Sequence, residues 1–128
     1  KPSIEDHLTM TTELNAFLER VKAGHPVEFH DTIAVITENY HYTPTRFTNG
    51  LGESPVINEP GSNEGSCKIF SFARLHGLSE AHTLALFGGY YRDDVLRSPE
   101  GLDHGNIRHF MKYGWAGIHF EGEALRAL

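Results

Sequence analysis

Apolar residues recur along this chain at the spacing of an α-helix, and a glycine or proline stops each run. Leu14, Phe17, Leu18 and Val21 fall at i, i+3, i+4 and i+7, which is one helix face. Thr11 or Thr12 can cap this helix, and Gly24 can close it where a positive φ is needed. Phe29, Ile33, Ile36 and Tyr40 form a second stripe, so a helix is expected from about Pro26 to Tyr40, ended by Tyr42-Thr43-Pro44. Ser66 to Leu75 fits both a helix face and strand alternation. Helix is favoured, because Ser66 is a good cap and Gly77 a good stop. Ser79 is expected to cap the next helix, whose face runs through Leu84, Phe87, Tyr91 and Val95. Gly88 and Gly89 weaken its middle by roughly 1 kcal/mol each and invite a break. A last helix is expected after Asp103 as cap, with Ile107, Phe110 and Met111 inward, Asn106 and Arg108 more exposed, and Gly114 as its stop.

The β signals are weaker. Arg46 to Gly50 reads as a short strand or turn, and Ile118-His119-Phe120 as a strand that would pair with the segment around Phe47. Residues 50–66 hold four glycines and two prolines and read as a long loop. The expected fold is mainly α, of the α+β kind: a compact single domain of four to five helices with at most a small two-stranded β element. Residues 1–10 are polar and expected to be a flexible segment, with one domain over residues 11–128. A chain of 128 residues has the size of one domain. It begins at Lys1 rather than Met, so further residues upstream are expected.

Charge and composition exclude some partners. The net charge is −6 with histidine neutral, and no two basic residues are adjacent. Nucleic-acid binding draws most of its affinity from a basic stripe, and anionic lipid repels an acidic surface. Neither nucleic acid nor membrane is therefore expected as a partner. No apolar run approaches the ~20 residues of a membrane span, and the first residues lack the apolar stretch of a secretory signal. The single cysteine, Cys67, excludes an intramolecular disulfide.

Several segments stand out together: Tyr42-x-Pro44-Thr45-x-Phe47-x-Asn49-Gly50, Asn63-Glu64-Gly65-Ser66-Cys67-Lys68, Thr83-Leu84-x-Leu86-Phe87-Gly88-x-Tyr90-Tyr91-Arg92, Asp103-His104-x-Asn106-Ile107-Arg108 and Gly114-Trp115-x-Gly117-Ile118-x-Phe120. In this order they resemble the HopJ family of type III effector proteins, over roughly residues 15 to 125. The resemblance implies a bacterial protein delivered by a type III secretion system into host cells, with a role in virulence. It implies no catalytic activity.

The residues themselves offer a few candidate sites. Cys67 is expected in the first turn of a helix, where the dipole and unpaired N–H groups favour a thiolate. A cysteine nucleophile needs a base, and His104, His109 and His82 are the candidates. The alternative is a small buried hydrophobe, the commonest fate of a free cysteine, and it is favoured. Asn63-Glu64-Gly65-Ser66 leads a glycine-bent loop into a helix N-terminus, a rough anion cradle, although it lacks the Lys-Ser/Thr ending of a phosphate loop. Plain helix capping by Ser66, with a glycine turn before it, is the favoured reading. Nine histidines are many, but His104 and His109 lie five apart, on different faces at ~100° per residue. No H-E-x-x-H or C-x-x-C pattern is present, so no metal site and no cofactor are expected. Tyr90, Arg92 and the acids beside them suit a binding surface, since Tyr and Arg dominate interface hot spots, but structural roles are favoured, with Tyr91 in the core and Arg92 paired with an acid. Trp115 is read as a plug at the edge of the core.

The family resemblance, the acidic charge and the absence of a catalytic motif favour a non-enzymatic protein-interaction domain with an unidentified host or bacterial protein as partner. Its location would be the bacterial cytoplasm, with export into host cells. The binding candidates are Asn49, Asn63, Glu64, Ser66, Tyr90, Arg92, His104, Asn106 and Arg108. The alternatives are a housekeeping cytosolic protein with a small-molecule ligand, and a Cys–His hydrolase centred on Cys67 with His104.

Overall fold

The computed structural model describes residues 11–128; the segment expected to be flexible, residues 1–10, lies outside them. Helix α1 (Thr12–Lys22) buries Leu14, Phe17, Leu18 and Val21, and the Thr11 hydroxyl accepts from the Leu14 amide at 3.2 Å. Helix α2 (Phe29–Asn39) is shorter than expected. Tyr40 turns out of it into strand β1 (Tyr40–Tyr42), which pairs antiparallel with β5 (Leu125–Ala127) at the end of the chain. Thr32 is fully buried on α2, and its hydroxyl donates to the Leu86 carbonyl at 2.9 Å. The stripe hid this contact because its partner is 54 residues away.

Strand β2 (Phe47–Asn49) is the middle of a three-stranded antiparallel sheet between β3 (Val56–Asn58) and β4 (Ile118–Phe120). The expected pairing of the 118–120 strand with Phe47 is present, with Phe47 opposite Phe120. The fold is α+β with helices dominant, as expected, but its β part is larger than one two-stranded element. Val56-Ile57-Asn58 falls in the stretch expected to be loop: three residues between Pro55 and Pro60 are too few for an alternation to show.

Helix α3 (Glu64–Leu75) forms the centre of the core and buries Cys67, Ile69, Phe70, Phe72 and Ala73. The Phe70 ring meets Phe47, Phe87, Phe110 and Trp115 at centroid distances of 5.9, 5.5, 5.0 and 6.4 Å. Trp115 plugs the core edge, its indole N–H donating to the Leu78 carbonyl at 3.2 Å. Ser79 caps α4 (Glu80–Ala85) through the His82 amide at 3.1 Å. The break expected at the paired glycines is real: Gly88 has φ +61°, and a Cβ there would come within 2.6 Å of the Phe29 backbone nitrogen. The chain resumes as a π-helical segment (Tyr90–Val95), a form that recurs at functional sites. Helix α5 (Gly105–Tyr113) follows, then a 3-10 turn over Gly114–Gly117.

Both helix caps expected around the site are corrected. Asn63, not Ser66, caps α3, and His104, not Asp103, caps α5. Each of these caps is left-handed, with φ of 50° and 52°. The Asp103 carboxylate instead accepts from Arg108 at 2.7 Å. Met111, expected inward, is exposed, while Asn106, expected outward, is buried at 6% exposure.

Candidate functional site

Helices α3 and α5 both start on one cleft of about 370 Å³. Asn63, Gly65 and Ser66 line it from the first turn of α3, and His104, Gly105, Asn106 and Ile107 from the first turn of α5. The first hydrogen bonds inside these helices are Cys67 N–H to the Asn63 carbonyl and Arg108 N–H to the His104 carbonyl. The amides of Gly65, Ser66, Gly105 and Asn106 therefore precede any helical acceptor. Neither cap turns a side-chain acceptor onto them. Phe29, Phe87, Tyr90 and Val56 complete the wall. In a chain with 17 acidic residues, none of the described residues lining this cleft is Asp or Glu.

The cap side chains are occupied elsewhere. Asn63 Nδ2 donates to Asn58 Oδ1 at 2.7 Å. Asn58 and Asn106 bond each other in both directions, and Asn49 Nδ2 donates to the carbonyl and to Oδ1 of Asn106 at 2.8 and 3.0 Å. This four-asparagine cluster ties β2, β3 and the first turns of both helices into one floor beneath the cleft. Asn49, Asn58 and Asn106 are buried, where satisfied polar networks fix a single arrangement. One atom of the cluster, Asn49 Oδ1, is buried without a donor.

At the other side of the cleft the His104 imidazole Nε2 lies 3.0 Å from Asp94 Oδ2 and 3.7 Å from Asp103 Oδ2. Its ring lies 5.1 Å from that of Tyr90, which in turn meets Phe29 edge-on at 5.0 Å. Phe29 reaches this position because residue 65 is glycine: a Cβ there would lie 2.6 Å from the Phe29 Cζ. Phe29 and Tyr90 also form one side of a second concavity of about 330 Å³, edged by Glu28, His30, Asp93 and Asp94.

Of the residues singled out in the sequence, Asn63, Ser66, Tyr90, His104 and Asn106 are brought together at the cleft, with Asn49 behind Asn106. The others lie apart from its lining. The Glu64 carboxylate stands by the Tyr42 hydroxyl, whose pKa is pushed up first by burial and then by Glu64. Arg92 donates to the Val27 carbonyl at 2.8 Å and pairs with Glu28 at 2.5 Å, tying the π-helical segment to the start of α2. Arg108 donates to the Ser98 and Asp103 carbonyls at 2.8 and 2.6 Å and to the Asp103 carboxylate, clamping the loop before α5. It also holds the Asp103 carboxyl below the usual carboxylate range. Cys67 is 1% exposed, and its thiol donates to the Thr45 carbonyl at 3.6 Å. Burial raises its pKa, the reverse of what a helix N-terminus would do to an open thiol. Cys67 does not line the cleft that holds His104. Among the described residues, no group of three or more His, Cys, Asp or Glu is placed to hold a metal ion.

Phe29, Val56, Asn58, Phe87, Gly105 and Ile107 are site residues that the sequence does not single out. Phe29, Phe87 and Ile107 sit at positions that read as core stripes, and Val56 lies in the stretch that reads as loop. Asn58 lay in a stretch read as loop, and only its partners 48 and 5 residues away reveal its role.

A family model described as HopJ type III effector protein matches residues 14–125, most of the chain. A crystal structure titled as that of an unknown function protein, VPA0580, superposes with a TM-score of 0.86 and 48% sequence identity, covering 93% of this chain and 97% of that one. No curated protein matches. Among the described residues no helix is long and apolar enough to cross a membrane. On the extent of the family match, this chain belongs to the HopJ family.

Proposed function

We propose that this HopJ-family chain is a non-enzymatic binding domain whose cleft takes an anionic group, a carboxylate, phosphate or sulfonate, carried by a small ligand or a partner protein. One observation carries the reading: two helices begin on the same cleft and leave their first-turn amides without side-chain caps. Amides at a helix N-terminus attract anions, by about 0.3–1 kcal/mol for an exposed charge and up to ~2 kcal/mol when partly buried. Two termini act on the same ligand here. The absence of carboxylates from the described lining supports the same sign of charge, and the Phe29, Phe87 and Tyr90 rings offer an apolar wall for the rest of the ligand.

The family description supports a setting: delivery by a type III apparatus into a host cell, where the cleft meets its partner. The same cleft would serve a bacterial cytosolic protein with a small-molecule ligand. A Cys–His hydrolase centred on Cys67 has less support, since the thiol is buried and bonded to a backbone carbonyl. Calorimetric titration of the protein with benzenesulfonate and with benzylammonium tests the site. The sulfonate is expected to bind and the ammonium not. Equal binding of both, or of neither, would overturn the reading. A C-terminal reporter active only in host cytosol, in strains with and without the apparatus, tests delivery. A signal in both strains or in neither would count against it.

A further inference from the structure

We propose that two copies of this chain pair through the loop before α5, with Leu102 of each copy seated in the groove beside α5 of the other. The groove, of about 270 Å³, is lined by Val95, Leu96, Pro99, Arg108, Met111 and Lys112. Neither Leu102 nor any of these residues lines the cleft described above. Leu96 and Met111 reach the groove with exposed side chains. Leu102 stands on the loop that borders it, and at 95% exposure is the most exposed large hydrophobic residue among those described. A lone exposed leucine is ordinary, whereas an exposed leucine beside an apolar groove marks an interaction face. Leu102 does not fill the groove of its own chain.

Two features of the face select a second copy as its occupant. The first is a fixed knob. Arg108 donates to the Ser98 and Asp103 carbonyls at 2.8 and 2.6 Å, and the Gly101 amide donates to the Ser98 carbonyl at 2.9 Å. A Cβ at position 101 would come within 2.6 Å of the Arg108 guanidinium, so glycine is what lets this clamp close. Leu102 is thereby presented in one position, and pairing does not have to order it. The second is matched charge. The described lining of the groove holds two cations, Arg108 and Lys112, and no acid, while Glu100 and Asp103 flank Leu102 on the loop. Arg108 already pairs with Asp103 of its own chain, which leaves Lys112 to meet Glu100 of the other copy. Pro99 lines the groove three residues before Leu102, so knob and groove lie side by side. A two-fold axis then brings each knob to the opposite groove, the self-complementary arrangement of most dimers. The charge of −6 on each copy opposes their approach, and salt of about 0.15 M screens that repulsion beyond ~8 Å.

The test is sedimentation equilibrium of the chain in about 0.15 M salt, over ~1 μM to ~1 mM, the range in which weak association shows. The mean mass is expected to rise with concentration from 14.3 kDa toward twice that value. Leu102→Ser is expected to raise the dimer Kd about a hundredfold, because symmetry deletes the buried leucine twice. Glu100→Lys and Lys112→Glu are each expected to raise it about tenfold, and the double variant to return it close to the wild-type value. All three side chains are exposed, so the variants keep the fold, which circular dichroism checks. A wild-type chain that stays monomeric at every concentration would overturn the pairing and leave this face to a different protein. A dimer as tight in Leu102→Ser as in wild type would also overturn it, as would a double variant that shows the summed losses of its two parts.

Discussion

Asn58 and Asn106 exchange hydrogen bonds in both directions, Asn106 Nδ2 to Asn58 Oδ1 at 2.8 Å and Asn58 Nδ2 to Asn106 Oδ1 at 3.2 Å. The pair joins the edge strand β3 to the first turn of α5. Asn58 Oδ1 also accepts from Asn63, the cap of α3. One buried amide thus sets the starts of both helices relative to each other, and with them the width of the cleft.

Replacing Asn58 by alanine leaves the amide nitrogens of Asn106 and Asn63 without their acceptor. A buried unsatisfied polar group costs about 1–3 kcal/mol. Asn63 is exposed and its amide can turn to water, so the buried loss falls on Asn106: urea unfolding is expected to show a loss of roughly 1–3 kcal/mol, and anion binding should weaken as the two helix starts lose their common tie. A variant as stable as wild type would show that the cluster is not a structural tie.

Gly65→Ala separates the cleft from overall stability. Alanine is favoured over glycine in a helix by up to about 1 kcal/mol, but its methyl group would meet the Phe29 ring. The ring must shift into the cleft wall. Thermal stability is expected to change little while benzenesulfonate affinity falls about tenfold, a loss of ~1.4 kcal/mol. Unchanged affinity would remove Phe29 and the α3 start from the site.

The fold was legible in the sequence wherever a contact was local and periodic. The α1 face, the capping of α4 by Ser79 and the break at Gly88 follow from spacing and residue chemistry alone. Asn63 and His104 as caps were not legible, because each is a left-handed residue that makes no side-chain cap bond, so the Ser and Asp preferences of ordinary capping point elsewhere. Asn106 read as exposed because its position on the helix said nothing about two asparagines arriving from a sheet, 57 and 48 residues away.

The Tyr40 hydroxyl and His76 Nε2 lie 2.5 Å apart, and burial, with a smaller effect from Lys22, lowers the His76 pKa below its ordinary 6.5. A group whose folded pKa is depressed in this way binds protons more readily when unfolded. Its contribution to stability is present above about pH 6.5 and is lost as pH falls below it. Wild-type Tm is expected to drop between pH 7 and pH 5, and His76→Asn should drop less over the same range. Equal drops would place the acid sensitivity elsewhere.

Burial raises the Cys67 pKa, so its thiol should behave as a core residue rather than a nucleophile. A disulfide reagent at pH 8 is expected to label Cys67 only at the rate of unfolding, and fully once urea is added. Rapid labelling of the folded chain would revive Cys67 as a reactive site.

The central claim is that two helix starts share one anion. The most direct measurement is an amide-resolved NMR titration of the folded chain with benzenesulfonate. The account predicts that the N–H signals of Gly65, Ser66, Gly105 and Asn106 move together, with one saturation curve and larger shifts than any other amides. Shifts confined to one helix start, or scattered over basic side chains away from the cleft, would contradict it.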